Sequence, residues 1–220
     1  MTAMTKTTRD RPAAPEPVLR VTAAQWNQWL AEYHASARGV LLMITRAGGG
    51  PPQLSYPDAL DVALTWGWID SHKRAHDARA WLQRFTPRRP TSRWSKINRA
   101  KAEALVRAGR MQPAGLREIE HAKQDGRWDA AYDSPRTSQV PADLARALAR
   151  NKAATAFFAV LDATNRFAIL YRVQTAKKPE TRAARIAAFV AMLAKRKTLH
   201  PVRKATKPRK PAGARRRAAR

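Results

Sequence analysis

Apolar residues recur at helical spacing along most of this chain and read as strands only in its first half. Trp26, Trp29, Leu30 and Tyr33 follow Thr22, a good N-cap, and predict an amphipathic helix that ends by Gly39. The run "GVLLMITRA" (39–47) is short, β-rich and flanked by glycine, so it predicts a buried strand. Ser55 opens a second helix whose inner stripe is Ala59, Val62, Ala63 and Trp66. "WIDSHKRAHDARAWLQRFTPR" (68–88) predicts two strands joined near "AHDA". The two-residue period puts Trp68, Asp70, His72 and Arg74 of the first strand on one face.

Beyond the hairpin the pattern turns helical. Ser95 caps a helix that runs to Ala108, with Gly109 just past its end. Pro113 opens the next, with Leu116, Ile119 and Ala122 as a narrow stripe. Pro141, "AATAFFAVL" (153–161), "NRFAILYRVQTA" (165–176) and Pro179 mark four more. In the last, Ile186, Phe189, Val190 and Leu193 form an i, i+3, i+4, i+7 stripe. The class is α+β: helices around a small antiparallel sheet (strands near 40–46, 67–74 and 80–86), then an all-helical unit. The expected division is a disordered N-terminus (1–19), an α+β domain (20–131), a linker (132–141), a helical domain (142–197) and a disordered basic tail (198–220).

Composition sharpens this picture. Seven tryptophans, all before residue 130, demand a packed core. No cysteine is present, which excludes disulfides, thiolate metal sites and a cysteine nucleophile. The N-terminus lacks an apolar core of the secretory type, and no aliphatic run is long enough to span a bilayer. A cytoplasmic protein without a membrane span is expected. Net charge is +27; twelve of the 43 cations lie from Lys195 onward, where there is no acid, so the remainder still carries +15. Such a field favours polyanions, and the 195–220 tail is expected to bind them non-specifically.

The densest internal charge is "RFTPRRPTSRWSKINR" (84–99), with six cations and no acid. Arginine forks suit phosphate and carboxylate oxygens, Trp94 offers a ring to stack on a base or to support the loop, and a helix N-terminus follows. Arg84, Arg88, Arg89, Arg93, Trp94, Ser95, Lys96, Asn98 and Arg99 are therefore the candidate anion- or nucleic-acid-binding residues. Charge runs are commonly just solvated, with Trp94 packed inside, and that bland reading stands beside the functional one. Asp70 and His72 are the alternative candidates, as a proton-transfer pair on a small anionic substrate in an arginine-lined pocket; a structural ion pair is the simpler role for Asp70. His72 and His76, four apart on a strand, stand about 13 Å apart and cannot share a metal. No phosphate-binding loop, dinucleotide glycine pattern or nucleophile elbow is present, so no cofactor is expected.

The segments "GWIDSHKR" (67–74), "RFTPRRPTSRWSKINR" (84–99), "GRMQPAG" (109–115), "GRWDAAYD" (126–133), "VPADLARAL" (140–148) and "AKKPETRAARI" (176–186) occur in this order. Together they resemble the bacterial YdeI/OmpD-associated, or bacteriocin-protection, family over about residues 20–197. The resemblance implies a role in bacteriocin protection or stress tolerance and supplies no catalytic residue set. The resulting reading is a non-enzymatic protection protein with a basic surface for an anionic partner, DNA or RNA foremost; the alternative is an enzyme using Asp70 and His72.

Overall fold

The computed structural model describes residues 16–46 and 54–201. Residues 47–53 and most of the two segments expected to be disordered lie outside the described residues. The chain divides into two compact units, one ending at Ser134 and one starting at Pro135.

The first unit holds β1 (Val18–Leu19), α1 (Ala23–Tyr33), β2 (Val40–Thr45), α2 (Tyr56–Thr65), β3 (Trp68–Ala75), β4 (Ala80–Pro87), α3 (Lys96–Arg107) and α4 (Pro113–Gln124). Three of its four helices begin where a short polar side chain supplies an acceptor, and α4 begins at Pro113 instead. Thr22, Ser55 and Ser95 each cap a backbone N–H three residues on. The sheet has the order β1-β2-β4-β3. It is mixed rather than purely antiparallel, because Val18 and Leu19, expected within the disordered N-terminus, pair in parallel with Leu41 and Leu42.

Val40, Leu42, Ile44 and Phe85 project from one sheet face into the core, where α1 and α2 cover them. Trp26 anchors α1 to α2 by donating from Nε1 to the Ala59 carbonyl at 3.1 Å. Trp68 stands edge-on to Trp26 at 6.0 Å and donates to the His34 carbonyl. These large apolar side chains fill the volume that the tryptophan count demanded.

One expectation fails inside β3. Asp70 pairs with Phe85 but Lys73 with Gln83, so an extra residue is inserted between them. The bulge reverses the alternation. Asp70 and Lys73 share a face, Arg74 turns to the other, and the predicted row of Trp68, Asp70, His72 and Arg74 is broken. Gln83 holds the bulge by donating to the Ser71 carbonyl at 3.1 Å. A polar side chain buried on the partner strand thus bonds to the backbone of the kink.

The second unit comprises α5 (Ala142–Ala149), α6 (Lys152–Ala159), α7 (Ala163–Gln174) and α8 (Pro179–Ala194). Leu144, Leu148, Phe158, Ile169, Ile186, Phe189 and Leu193 form its core. Arg182 grips Asp143 with two bonds of 2.6 and 2.9 Å and also donates to the Val173 carbonyl, tying α8 to α5 and α7. The Arg182 bond holds the Asp143 carboxyl below its ordinary value. A depressed carboxyl pKa adds stability that is present above the unfolded value and lost as pH falls through the folded one. Asp143→Asn is therefore expected to flatten acid unfolding of the helical unit below about pH 4, by no more than about 1 kcal/mol because the pair is partly solvated. Helical ellipticity followed against pH checks this.

Candidate anion site

The basic stretch starts where β4 ends. The Arg88 N–H donates to the Gly67 carbonyl at 3.0 Å, and residues 89–92 then turn, with Ser92 N–H on the Arg89 carbonyl. Trp94 and Lys96 clasp Tyr132 by backbone bonds of 3.0 and 2.9 Å. Tyr132, placed in the expected linker, is thereby bound into the first unit.

This path carries Trp94 inward. It is 1% exposed and stands edge-on to Trp128 at 4.8 Å. It supports the loop and has no face for a base, so that part of the sequence reading is corrected. Arg88 goes in with it. The guanidinium lies 3.5 Å over the Trp94 ring and the residue is 6% exposed. Its Nη1 reaches the Arg93 carbonyl at 3.4 Å. Its Nε and Nη2, and the Trp94 Nε1, are buried donors without a partner among the described residues. Nε and Nη2 form one complete edge of the guanidinium fork, the edge that meets a carboxylate or phosphate with two parallel bonds. Burial pushes Arg88 down to about 10, against the pull of Glu118 and Tyr132.

Around this fork lie groups from several elements. Glu118 of α4, Tyr132, Arg127 and Asp70 all act on it electrostatically. Asp70 accepts from the Tyr56 hydroxyl at 2.9 Å. Burial first, then the Asp70 charge, raises the Tyr56 pKa far above its ordinary value. Tyr56 thus stays a protonated donor. Glu118 packs so tightly on Gly67 that a Cβ there would come within 2.8 Å of its Cγ. On its other side Glu118 borders an open cleft of about 360 Å³, lined also by Pro90, His121, Gln124, Asp125 and Arg127. Arg127 is fixed by the Ser92 carbonyl (2.9 Å) and by Asp125 (2.6 Å).

The remaining sequence candidates scatter. Arg84 forks onto Glu16, with Nε at 2.7 Å from Oε2. Lys96 pairs with Asp133 at 2.7 Å. Arg99 donates to the Trp128 carbonyl and lies 3.5 Å from Glu103. Ser95 caps α3 through the Asn98 N–H. Arg89 and Arg93 are exposed. Asp70 is half-buried against Tyr56, while His72 is exposed beyond the bulge. Among the described residues no cluster of three or more His, Asp or Glu side chains is able to hold a metal. Tyr56, Glu118, Arg127 and Tyr132 were not singled out from the sequence. Arg127 and Tyr132 lie in "GRWDAAYD", a motif noted there without a role.

With this geometry in hand, two family models align with the chain. Residues 137–196 match the family described as bacteriocin-protection, YdeI or OmpD-associated. This segment is a YdeI/OmpD-associated domain. Residues 19–118 match a different family, a domain of unknown function (DUF8412). No curated protein and no solved structure matches the chain. The YdeI/OmpD-associated domain therefore coincides with the helical unit. Tyr56, Asp70, Arg88, Trp94 and Glu118 fall in the other match, and Arg127, Trp128 and Tyr132 lie between the two. No helix among the described residues is long and apolar enough to cross a membrane.

Proposed function

We infer that this protein carries a YdeI/OmpD-associated domain behind a small-anion-binding unit, in which Arg88 takes a carboxylate or phosphate group. The observation that carries this reading is the unpartnered Nε–Nη2 edge of a buried guanidinium. A buried charge without a partner costs several kcal/mol, and a neighbouring buried N–H adds to that cost. Native folds retain such groups where they serve a ligand or a switch. An anion offers acceptors to the three open donors, Arg88 Nε and Nη2 and Trp94 Nε1, against the charges of Glu118 and Asp70 nearby. The stack on Trp94 fixes the plane of the fork, so little side-chain freedom is lost on binding. Glu118 and Arg127, which both act on Arg88, also line an open cleft, and that cleft is the route of entry that this reading requires.

The earlier alternative, proton chemistry by Asp70 with His72, draws less support, because the bulge separates the two and the Tyr56 hydroxyl already occupies Asp70. A binding role fits the description of the matched family, bacteriocin protection, without requiring catalysis.

The test is a thermal-shift titration with inorganic phosphate, acetate and citrate at constant ionic strength. At least one anion is expected to raise the melting temperature of the wild type, by the equivalent of about 2.7 kcal/mol at a hundredfold excess over Kd. Glu118→Gln should strengthen the response, since it removes a competing negative charge. A response unchanged in Arg88→Met, or Glu118→Gln melting several degrees lower in anion-free buffer, overturns the reading. The second result identifies Glu118 as the partner of the fork.

A further inference from the structure

The cations of 84–99 are largely held by ion pairs, backbone carbonyls or burial, whereas those at the outer end of the preceding hairpin are exposed and make looser contacts. Residues 71–79 are all exposed. They include Lys73, Arg74 and Arg79, none of which forms a direct ion pair among the described residues, although Arg74 acts on the Glu16 carboxylate at longer range. The one acid there, Asp77, is exposed and lies 3.7 Å from His76; its Oδ1 accepts from the Arg79 and Ala80 N–H groups at 2.7 Å, closing the turn.

The bulge distributes these charges. Lys73 lies on the face of Trp81, its Nζ 4.2 Å from the ring centre, and Arg46 approaches the same ring at 5.7 Å. Arg74 projects from the opposite face, and Arg79 stands at the turn. β3 is an edge strand, so among the described residues no further strand pairs beside this row. None of the large exposed apolar side chains lies on the hairpin, so the patch has nothing to insert into a lipid surface.

We propose that the outer half of β3 and its turn, through Lys73, Arg74 and Arg79, bind the phosphodiester backbone of nucleic acid, with the half-buried Trp81 as a ring beside it. Unpaired cations spaced along an exposed strand meet successive phosphates, and each contact releases counterions. Edge-strand charges also deter strand-to-strand aggregation, but that task needs only charge, not cations on both faces and at the turn. This surface is separate from the Arg88 fork, and neither reading depends on the other.

The test measures affinity of the full chain for a 20-nucleotide single-stranded DNA, its RNA counterpart and the DNA duplex across a salt series. Two variants remove equal charge: Lys73→Ala/Arg74→Ala/Arg79→Ala, and the control Arg107→Ala/Arg110→Ala/Arg117→Ala on exposed positions of α3, α4 and the loop between them. Both keep the basic tail. The hairpin variant is expected to lower the slope of log K against log salt by about three, one per lost contact, while the control leaves it nearly unchanged. The nucleic acid with the larger loss is the form the surface prefers. Arg79→Glu, which leaves the strand intact, should weaken binding in the same direction. Equal losses in the two triple variants would mean that overall charge and the tail account for binding, and the proposal falls. It falls equally if no nucleic acid binds, or if only anionic phosphatidylserine vesicles do.

Discussion

Arg88→Met is expected to stabilise the protein in anion-free buffer and to abolish its response to anions. Arginine at this position is charged at neutral pH, buried and bonded through one nitrogen only. Its pKa in the folded chain is pushed down to about 10, below the unfolded value, so the unfolded chain holds the proton more tightly. Stability linked to this group is therefore lowest below pH 10 and rises with pH above it, where the folded state releases its proton first. At neutral pH the charge is a net cost. Methionine is unbranched, keeps an apolar contact with Trp94 and leaves no unpaired donor at this residue. Replacing buried ionic groups by apolar ones of similar size is commonly neutral or stabilising by about 1–4 kcal/mol. A gain of that size would appear as a melting temperature raised by roughly 3–10 °C. Calorimetry with and without citrate reads both effects together. A variant that melts lower than wild type would show that Arg88 has an internal partner and is structural.

Gly115→Ala is expected to have the largest effect of opposite sign. Gly115 lies where α4 crosses the end of α2. A Cβ there would sit 2.3 Å from the Thr65 carbonyl oxygen and 2.9 Å from that of Leu64. Both are backbone atoms, so the helices must part rather than a side chain move. Thr65 O also accepts the Gln112 N–H at the start of α4, and that bond is strained by the same shift. A loss of about 3 kcal/mol or more is expected, at the upper end of overpacking costs. Glu118 is one turn further along α4, so its packing on Gly67 and its position at the fork are displaced too. Gly109→Ala is the comparison. Gly109 has φ +65° and nothing within 4 Å of its missing Cβ, so it should lose only about 1–2 kcal/mol of backbone preference. Denaturant midpoints at unchanged slope measure both. If the two variants lose equally, the close approach of α4 to α2 is not what Gly115 serves.

Gly115 also illustrates how the sequence pattern misleads. The stripe on α4 was read through Leu116, yet Leu116 is exposed and Gly115, Ile119 and Ala122 face inward. Hydrophobic periodicity weighs side chains, so a glycine chosen for close backbone approach is invisible to it. β3 fails in a related way. Alternation assumes an unbroken strand, whereas β3 carries an extra residue between Asp70 and Lys73, and the side chain bonded there, Gln83, lies on the partner strand.

The local chemistry of this chain determined most of its elements. Caps at Thr22, Ser55 and Ser95, prolines at 113, 141 and 179 and the periodic apolar stripes act within a few residues, and the helices start where those signals are. The helical unit followed from its stripes; of the six motifs behind the resemblance, only "VPADLARAL" and "AKKPETRAARI" lie in the stretch that the YdeI/OmpD-associated family matches, 137–196. Tertiary structure alone decided which cations are available. Arg84, Arg88, Lys96 and Arg99 read alike as basic side chains in one stretch, but Glu16, Asp133 and Trp128 claim three of them from other parts of the unit, and Arg88 goes into the core with Trp94 of the same stretch. A side chain's charge is written in the sequence; whether that charge is paired, buried or open to a ligand depends on neighbours brought together only by folding.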